Sequence, residues 1–253
     1  MENITILIHT YNSEKDLPDA IRCALLLTAN VIIVDMESTD STVSIAQKLS
    51  AGTVSFPFHP YVEPSREFAI NQTKTPWILI LDSDERMTEK LAKEIKTTLR
   101  KTEYSYFKIP RRNIFGRKKW LKHGGWWPDQ QIRLIKKSEF KRWSKEIHST
   151  PIIGGRQGVL KEPILHYFHG NIEEMVKKTS LFEDIESDLL YKANRQVKTS
   201  TFFRKYIGEF FRRLFKKTGF MDGTIGIIES IYQAFSKTIT YIFLYEKKKS
   251  RSI

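Results

Sequence analysis

Apolar runs that stop on a polar residue at their carboxyl end constrain this chain more than any other feature. Ile4-Thr5-Ile6-Leu7-Ile8 leads to Thr10, Tyr11 and Asn12; Val31-Ile32-Ile33-Val34 ends at Asp35; Trp77-Ile78-Leu79-Ile80-Leu81 ends at Asp82. Short β-branched runs without polar alternation suit strands buried on both faces. A briefer run, Val54-Ser55-Phe56, opens into a loop holding Pro57, Pro60 and Pro64. Helical patterns fill the gaps. Pro18 suits a first turn, with Ile21, Ala24, Leu25 and Ala29 on one face. Asp40 or Ser41 can cap a helix through Leu49, and residues 65–73 read as a third helix. Strand–helix alternation of this kind specifies a mostly parallel sheet with helices on both faces. Such sheets bind ligands beyond the carboxyl ends of their strands, so Thr10, Tyr11, Asn12, Asp35, Asp82 and Asp84 are expected to converge on one crevice.

The first strand is followed by neither Gly-x-Gly-x-x-Gly nor a Walker loop, which disfavours a dinucleotide or P-loop site. Cys23, the single cysteine, excludes an intramolecular disulfide and sits among apolar residues as an expected core thiol. No secretory leader pattern opens the sequence, so the active part is expected in the cytoplasm.

Asp82-Ser83-Asp84-Glu85 carries the clearest chemistry. Acids at i and i+2 past a strand end can direct oxygen ligands into one crevice, and hard divalent cations favour such ligands together with water and phosphate. Magnesium or manganese there would neutralise a leaving diphosphate.

Three segments taken in order resemble the signatures of glycosyltransferase family two: Thr10-Tyr11-Asn12-Ser13-Glu14, Val34-Asp35-Met36-Glu37-Ser38-Thr39-Asp40-Ser41-Thr42 and Leu81-Asp82-Ser83-Asp84-Glu85. A fourth, Gly124-Gly125-Trp126-Trp127-Pro128-Asp129-Gln130-Gln131-Ile132-Arg133-Leu134-Ile135, is similar to the acceptor-side motif of the bacterial lipopolysaccharide-core β-glucosyltransferase branch. The resemblance implies an α/β fold of the GT-A type, Rossmann-like, with C-terminal amphipathic helices appended. It implies a nucleotide lying across the strand ends, with Thr10, Tyr11 and Asn12 beside base and ribose and Asp35 on the nucleoside. Some relatives carry a second acid where this chain has Met36; a UDP-sugar is the favoured donor. Arg66 would face the donor diphosphate, Asp82 the ribose or metal, and Asp84 would be the principal metal ligand, with His166 completing the metal shell. Asp129 matches the family's catalytic base. Trp126 and Trp127 could stack on sugar faces, with Gln130 and Arg133 in the same acceptor-side motif. His148 occupies a histidine position usually followed by Glu, here by Ser149.

The net charge of +13 calls for an anionic partner, and its placement narrows the choice. Beyond residue 199, Arg204, Lys205, Arg212, Arg213, Lys216, Lys217, Lys237, Lys247, Lys248, Lys249 and Arg251 face only Glu209, Asp222, Glu229 and Glu246. Phe202, Phe203, Tyr206, Ile207, Phe210, Phe211, Leu214 and Phe215 recur there at helical spacing. An aromatic stripe beside a basic face suits a helix lying in the headgroup layer of an anionic membrane. A second apolar stretch, residues 225–245, is interrupted by Glu229 and Lys237 and is expected on the membrane surface rather than across it.

These observations lead to a catalytic domain over residues 1–170 and a helical, membrane-associating region over 171–253. The expected protein is a metal-dependent inverting glycosyltransferase, peripheral on the inner face of the cytoplasmic membrane. It would move a sugar from a nucleotide donor to a lipopolysaccharide, lipid-linked or other envelope saccharide, with no nucleic-acid partner. The competing readings are a non-catalytic sugar-nucleotide binder and a basic nucleic-acid-binding protein. Intact Asp82, Asp84 and Asp129 argue against the first, and the concentration of much of the positive excess in an amphipathic tail argues against the second.

Overall fold

The structure, a computed structural model, describes residues 3–168 and 172–250. It divides into two compact units, one of Met1–Arg112 with Asp129–Tyr167 and one of Asn113–Pro128 with Phe168–Ile253. The helical tail shares its unit with residues 113–128 from the middle of the chain.

The first unit opens with β1 (Ile4–Thr10), α1 (Leu17–Ala24), β2 (Val31–Asp35), α2 (Thr42–Lys48), β3 (Gly52–Ser55), α3 (Glu63–Gln72) and β4 (Trp77–Asp82). It continues through β5 (Glu85–Arg86), α4 (Glu89–Thr98) and β6 (Tyr106–Phe115), whose last residues belong to the second unit together with β7 (Lys119–Trp120). Then come β8 (Asp129–Lys136), β9 (Phe140–Trp143), β10 (Pro151–Ile153), β11 (Gln157–Val159) and β12 (Ile164–Phe168).

The strand order is β3-β2-β1-β4-β8-β6-β12-β5. β1 to β4 pair in parallel, and β8 joins β4 antiparallel. Every residue of β1 is buried. Alternate side chains feed two cores: Ile4, Ile6, Ile8, Leu79 and Leu81 pack with α1 on one face, while Leu7, Ile78, Ile80 and Ile70 of α3 pack on the other. Each such side chain contributes about 2 kcal/mol of hydrophobic stabilisation, so the continuous apolar runs follow from burial on both sides.

Differences from expectation are local. α1 ends at Ala24, short of Ala29, and leaves Leu25 and Leu26 exposed. α3 starts at Glu63, because Pro64 sits in its first turn, where a missing N–H costs nothing. α4 had no counterpart in the sequence reading. Thr88 caps it by accepting the Leu91 N–H at 3.1 Å, and Leu91, Ala92 and Ile95 form its buried stripe. Cys23 is part-buried, donates to the Ala20 carbonyl at 3.1 Å, and has its thiol pKa pushed up by burial.

In the second unit, α5 (Ile172–Lys192), α6 (Thr199–Phe211) and α7 (Thr224–Ser250) are the long elements; a π-turn (Arg212–Lys216) and a 3-10 turn (Gly219–Asp222) join the last two. α5 and α6 both pack on α7. Tyr232 donates to the Met175 carbonyl at 2.7 Å, and Lys247 pairs with Asp184 and Asp188 at 2.7 Å each. Among the described residues no helix is long and apolar enough to cross a membrane.

The expected single stripe on α6 divides. Leu214 turns inward, and the strongly exposed set is Phe203, Ile207, Phe211 and Phe215 at four-residue spacing. Glu229 does not face water either. It is 1% exposed, neither oxygen makes a well-formed hydrogen bond among the described residues, and burial pushes its carboxyl up to about 7 against the smaller opposing effects of Gln233 and Arg213.

Candidate active site

The parallel strands bring the first site residues together by register. Thr10 lies opposite Asp35 and His9 opposite Asp82. Thr10 Oγ1 donates to Asp35 Oδ1 at 3.1 Å, and Ser38 closes on the same carboxylate through its hydroxyl (2.6 Å) and its N–H (3.0 Å). Asn12, at φ 46°, ties the loops after β1 and β2 together: its N–H donates to Ser38 Oγ at 2.9 Å and its Oδ1 accepts the Thr39 N–H at 2.8 Å. Tyr11 is 41% exposed, and its ring centroid lies 4.5 Å from that of Phe58, which is itself 49% exposed. Phe58 was not singled out from sequence, because nothing in a proline-rich loop marks one aromatic as the neighbour of Tyr11.

Asp82 is held by two guanidiniums. Arg66 Nη2 donates to Oδ1 at 2.6 Å and Arg133 Nη2 to Oδ2 at 2.7 Å. Burial opposes its ionisation, but Arg133 and Arg66 outweigh that and keep the carboxyl well below the usual carboxylate range. Asp82 thus has a guanidinium on each carboxylate oxygen. Arg66 is 4% exposed and bonds Asp82 and His9 (3.1 Å). Arg133 is buried between Asp82 and Glu85. Burial, reinforced by Arg66, holds His9 well below the normal imidazole range, so it stays neutral.

Asp84 and His166 meet through β5, which the sequence reading did not anticipate. In that two-residue strand Glu85 pairs with His166 and Arg86 with Leu165, and the Tyr167 N–H donates to the Asp84 carbonyl at 2.9 Å. The pairing sets His166 Nε2 3.5 Å from Asp84 Oδ2, with both side chains partly exposed. Among the described residues no group of three or more His, Cys, Asp and Glu could hold a metal. One carboxylate oxygen and one imidazole nitrogen remain a fitting pair for a cation that keeps most of its shell as water and phosphate oxygen. His169 lies outside the described residues.

Asp129 opens β8 and faces Arg111 of β6 across the ladder. Arg111 Nε and Nη2 approach Asp129 Oδ2 at 2.8 and 2.7 Å, and Gln131 Nε2 donates to Oδ1 at 2.6 Å. Glu85, fully buried, links the two halves: Oε2 accepts the Asp82 N–H at 3.0 Å, while Oε1 meets Arg133 at 2.6 Å and Arg111 at 3.5 Å. Gln130 is exposed. His148 donates its N–H to Glu63 Oε1 at 2.8 Å.

Trp126 and Trp127 belong to the second unit. Trp126 lies against Phe168 (4.9 Å) and under Arg213 (5.6 Å), and Trp127 meets Trp120 edge-on at 5.5 Å. Both stay partly exposed.

A mostly parallel sheet with polar strand ends gathered at one edge and helices appended at the C-terminus defines a protein of the GT-A class. The chain belongs to glycosyl transferase family 2, whose model matches residues 5–165, and it is a glycosyltransferase. It is 26% identical over 266 residues to an uncharacterised glycosyltransferase of Rickettsia conorii, covering 100% of this chain and 93% of that one. It is 24% identical over 235 residues to the lipopolysaccharide core biosynthesis glycosyltransferase LpsC of Rhizobium meliloti, covering 87% and 83%. Among solved structures, the mannosyltransferase PcManGT of Pyrobaculum calidifontis, in complex with GDP-Man and Mn2+, matches with a TM-score of 0.51 at 13% identity, over 92% of this chain and 73% of that one. That likeness is one of fold.

Proposed function

We propose that this glycosyltransferase moves a sugar, with inversion, from a UDP-linked donor to a lipopolysaccharide or other lipid-linked envelope saccharide at a membrane surface. The observation that carries the reading is the Asp84–His166 pair, Asp84 lying just beyond the carboxyl end of β4 and so next to the end of β1, where Thr10, Asp35 and Ser38 cluster. The nucleoside lies over Asp35, with Tyr11 and Phe58 as apolar walls. Asp84 and His166 would hold a magnesium or manganese ion, and the manganese-bound mannosyltransferase supports a divalent cation in this fold. When bound, the ion stabilises the charge developing on the departing diphosphate.

Asp129 acts as general base. It takes the proton of the acceptor hydroxyl while that oxygen bonds to the anomeric carbon and the bond from that carbon to the diphosphate oxygen breaks on the opposite side. Arg111 and Gln131 fix the direction of the carboxylate, and positioning of this kind is a large part of enzymatic rate. Trp126 and Trp127 supply ring faces on the acceptor side, and the resemblance to LpsC supports a lipopolysaccharide-type acceptor. Phe203, Ile207, Phe211 and Phe215, exposed beside Arg204, Lys216 and Lys217, lie in the headgroup layer of an anionic bilayer.

The test is UDP binding by calorimetry with and without manganese. Wild type should bind more tightly with manganese present, and Asp84→Asn should lose that increment. An increment that survives in the mutant overturns the site.

A further inference from the structure

Asp222 is an acid in a basic tail, and nothing in the proposed chemistry uses it. It lies in the 3-10 turn between the π-turn and α7, and it is 5% exposed. Its Oδ2 accepts the backbone N–H groups of Lys122 (2.9 Å) and His123 (2.7 Å), and Oδ1 pairs with His123 Nδ1 at 3.0 Å. Two further ties come from the same stretch of chain. The Gly124 N–H donates to the Lys217 carbonyl at 2.8 Å, and Arg213 Nη1 donates to the Gly124 carbonyl at 3.1 Å while its guanidinium covers Trp126.

The segment so held leads into Trp126 and Trp127. Gly124 and Gly125 sit at φ of +66° and +88°, a conformation open to glycine and costly in entropy to keep. A loop with that freedom needs external fastening to present its tryptophans in one arrangement. The fastening is stiff, because the packing behind it leaves no room for a methyl group. A Cβ on Gly226 would stand 2.0 Å from the Gly219 carbonyl oxygen, and one on Gly219 would stand 2.7 Å from Ser230 Oγ.

The outer side of the same turn is apolar. Phe215 is 53% exposed, Phe220 49% and Met221 60%. Met221 and Asp222 are consecutive, so neighbouring residues face solvent and the loop respectively. Lys216 and Lys217 are exposed in the same stretch, and a cluster of apolar side chains beside lysines is complementary to an anionic lipid surface.

We infer that the segment from Phe215 to Asp222 couples bilayer contact to the acceptor-side loop: Phe215, Phe220 and Met221 enter the headgroup layer, and Asp222 is a positioning residue that holds Lys122 to Trp126 in the arrangement that receives the acceptor. The inference rests on the membrane-surface reading given above and deepens it. A membrane-bound enzyme then has its acceptor loop ordered where the acceptor is anchored, and a protein free in solution has it looser.

The test is hydrogen–deuterium exchange of the full chain, read alongside cosedimentation with vesicles of equal parts phosphatidylcholine and phosphatidylglycerol. Vesicles should slow exchange of the Lys122, His123 and Gly124 amides by about tenfold, as expected when local opening is suppressed. Asp222→Asn should sediment with vesicles as wild type does, but exchange faster at those amides and lose the vesicle effect. Phe220→Ser combined with Met221→Ser leaves every Asp222 contact in place. It should keep the basal protection and lose the vesicle-induced part. Wild-type protein that sediments while the three amides are unaffected refutes the coupling and spares the membrane reading. Failure to sediment removes both.

Discussion

Asp129 and Arg111 face each other across the antiparallel ladder of β6 and β8, the guanidinium reaching one carboxylate oxygen through Nε at 2.8 Å and Nη2 at 2.7 Å. The pairing places the proposed base on two rigid strands, where its direction is set by backbone register and not by a loop. Arg111 touches Glu85 as well, so the base is connected through buried charge to the Asp82 cluster.

Asp129→Asn should leave donor affinity unchanged and lower transfer by at least about a hundredfold, the usual range for loss of a general base. Arg111→Leu should lower transfer less, with donor affinity again unchanged, because it frees the carboxylate without removing it. Both are checked by transfer of radiolabelled UDP-sugars to a membrane fraction, with UDP affinity measured separately. Turnover at the wild-type rate in Asp129→Asn would remove it as base.

His166→Gln should weaken manganese-dependent UDP binding by roughly tenfold, in keeping with one ligand lost from a shell completed by water and phosphate. Binding without manganese should be the same in mutant and wild type. Calorimetry at fixed pH with and without the metal separates the two.

The Asp82 carboxyl is held below its ordinary value, so its contribution to stability is complete above the unfolded value of about 3.9 and is lost as pH falls through the folded value. Wild-type stability should therefore decline on acidification below about pH 4. Asp82→Asn should flatten that decline and cost about 3 kcal/mol at neutral pH, since Arg66 and Arg133 are left buried without their partner. Chemical denaturation across the acid range reads both effects.

Glu229 has the opposite sign. Its carboxyl is raised from 4.5 to about 7, so the stability it permits is fully present below pH 4.5 and is lost as pH rises through 7. Glu229→Gln should abolish that dependence and, above pH 8, stabilise the helical unit by on the order of 3 kcal/mol. Thermal unfolding at acid and alkaline pH decides it; equal midpoint changes at both would contradict a buried ionising group.

Replacing Phe203 and Phe211 by Ser should lower partitioning onto phosphatidylglycerol vesicles by more than tenfold, because each exposed ring contributes about 2 kcal/mol when buried in the interface. Raised salt should weaken wild-type binding further, as it screens the lysines and arginines nearby. Sedimentation of both proteins over a salt series measures the two contributions.

Short uninterrupted apolar runs were enough to place β1, β2 and β4, because side chains buried on both faces of a sheet must be apolar without interruption. The same logic located Asp35 and Asp82 at strand ends, with Asp84 in the turn just beyond. β5 was illegible, since a two-residue strand has no period, and with it went the reason why His166 stands beside Asp84. The ion-pair partners of Arg66 and Arg133 were illegible for a different cause. An arginine in a sequence carries its charge but not the carboxylate that claims it, and here Asp82 claims both.

The amino-acid order by itself determined the layered α/β architecture, the family, and a tail both aromatic and basic, since these depend on patterns along the chain. Tertiary structure alone decided which charges neutralise one another, which phenylalanines of α6 stay exposed, and that Asp222 holds a loop a hundred residues upstream. The reason is that electrostatic pairing and close packing act through space over a few ångströms, and such distances exist only once the strands and helices have met.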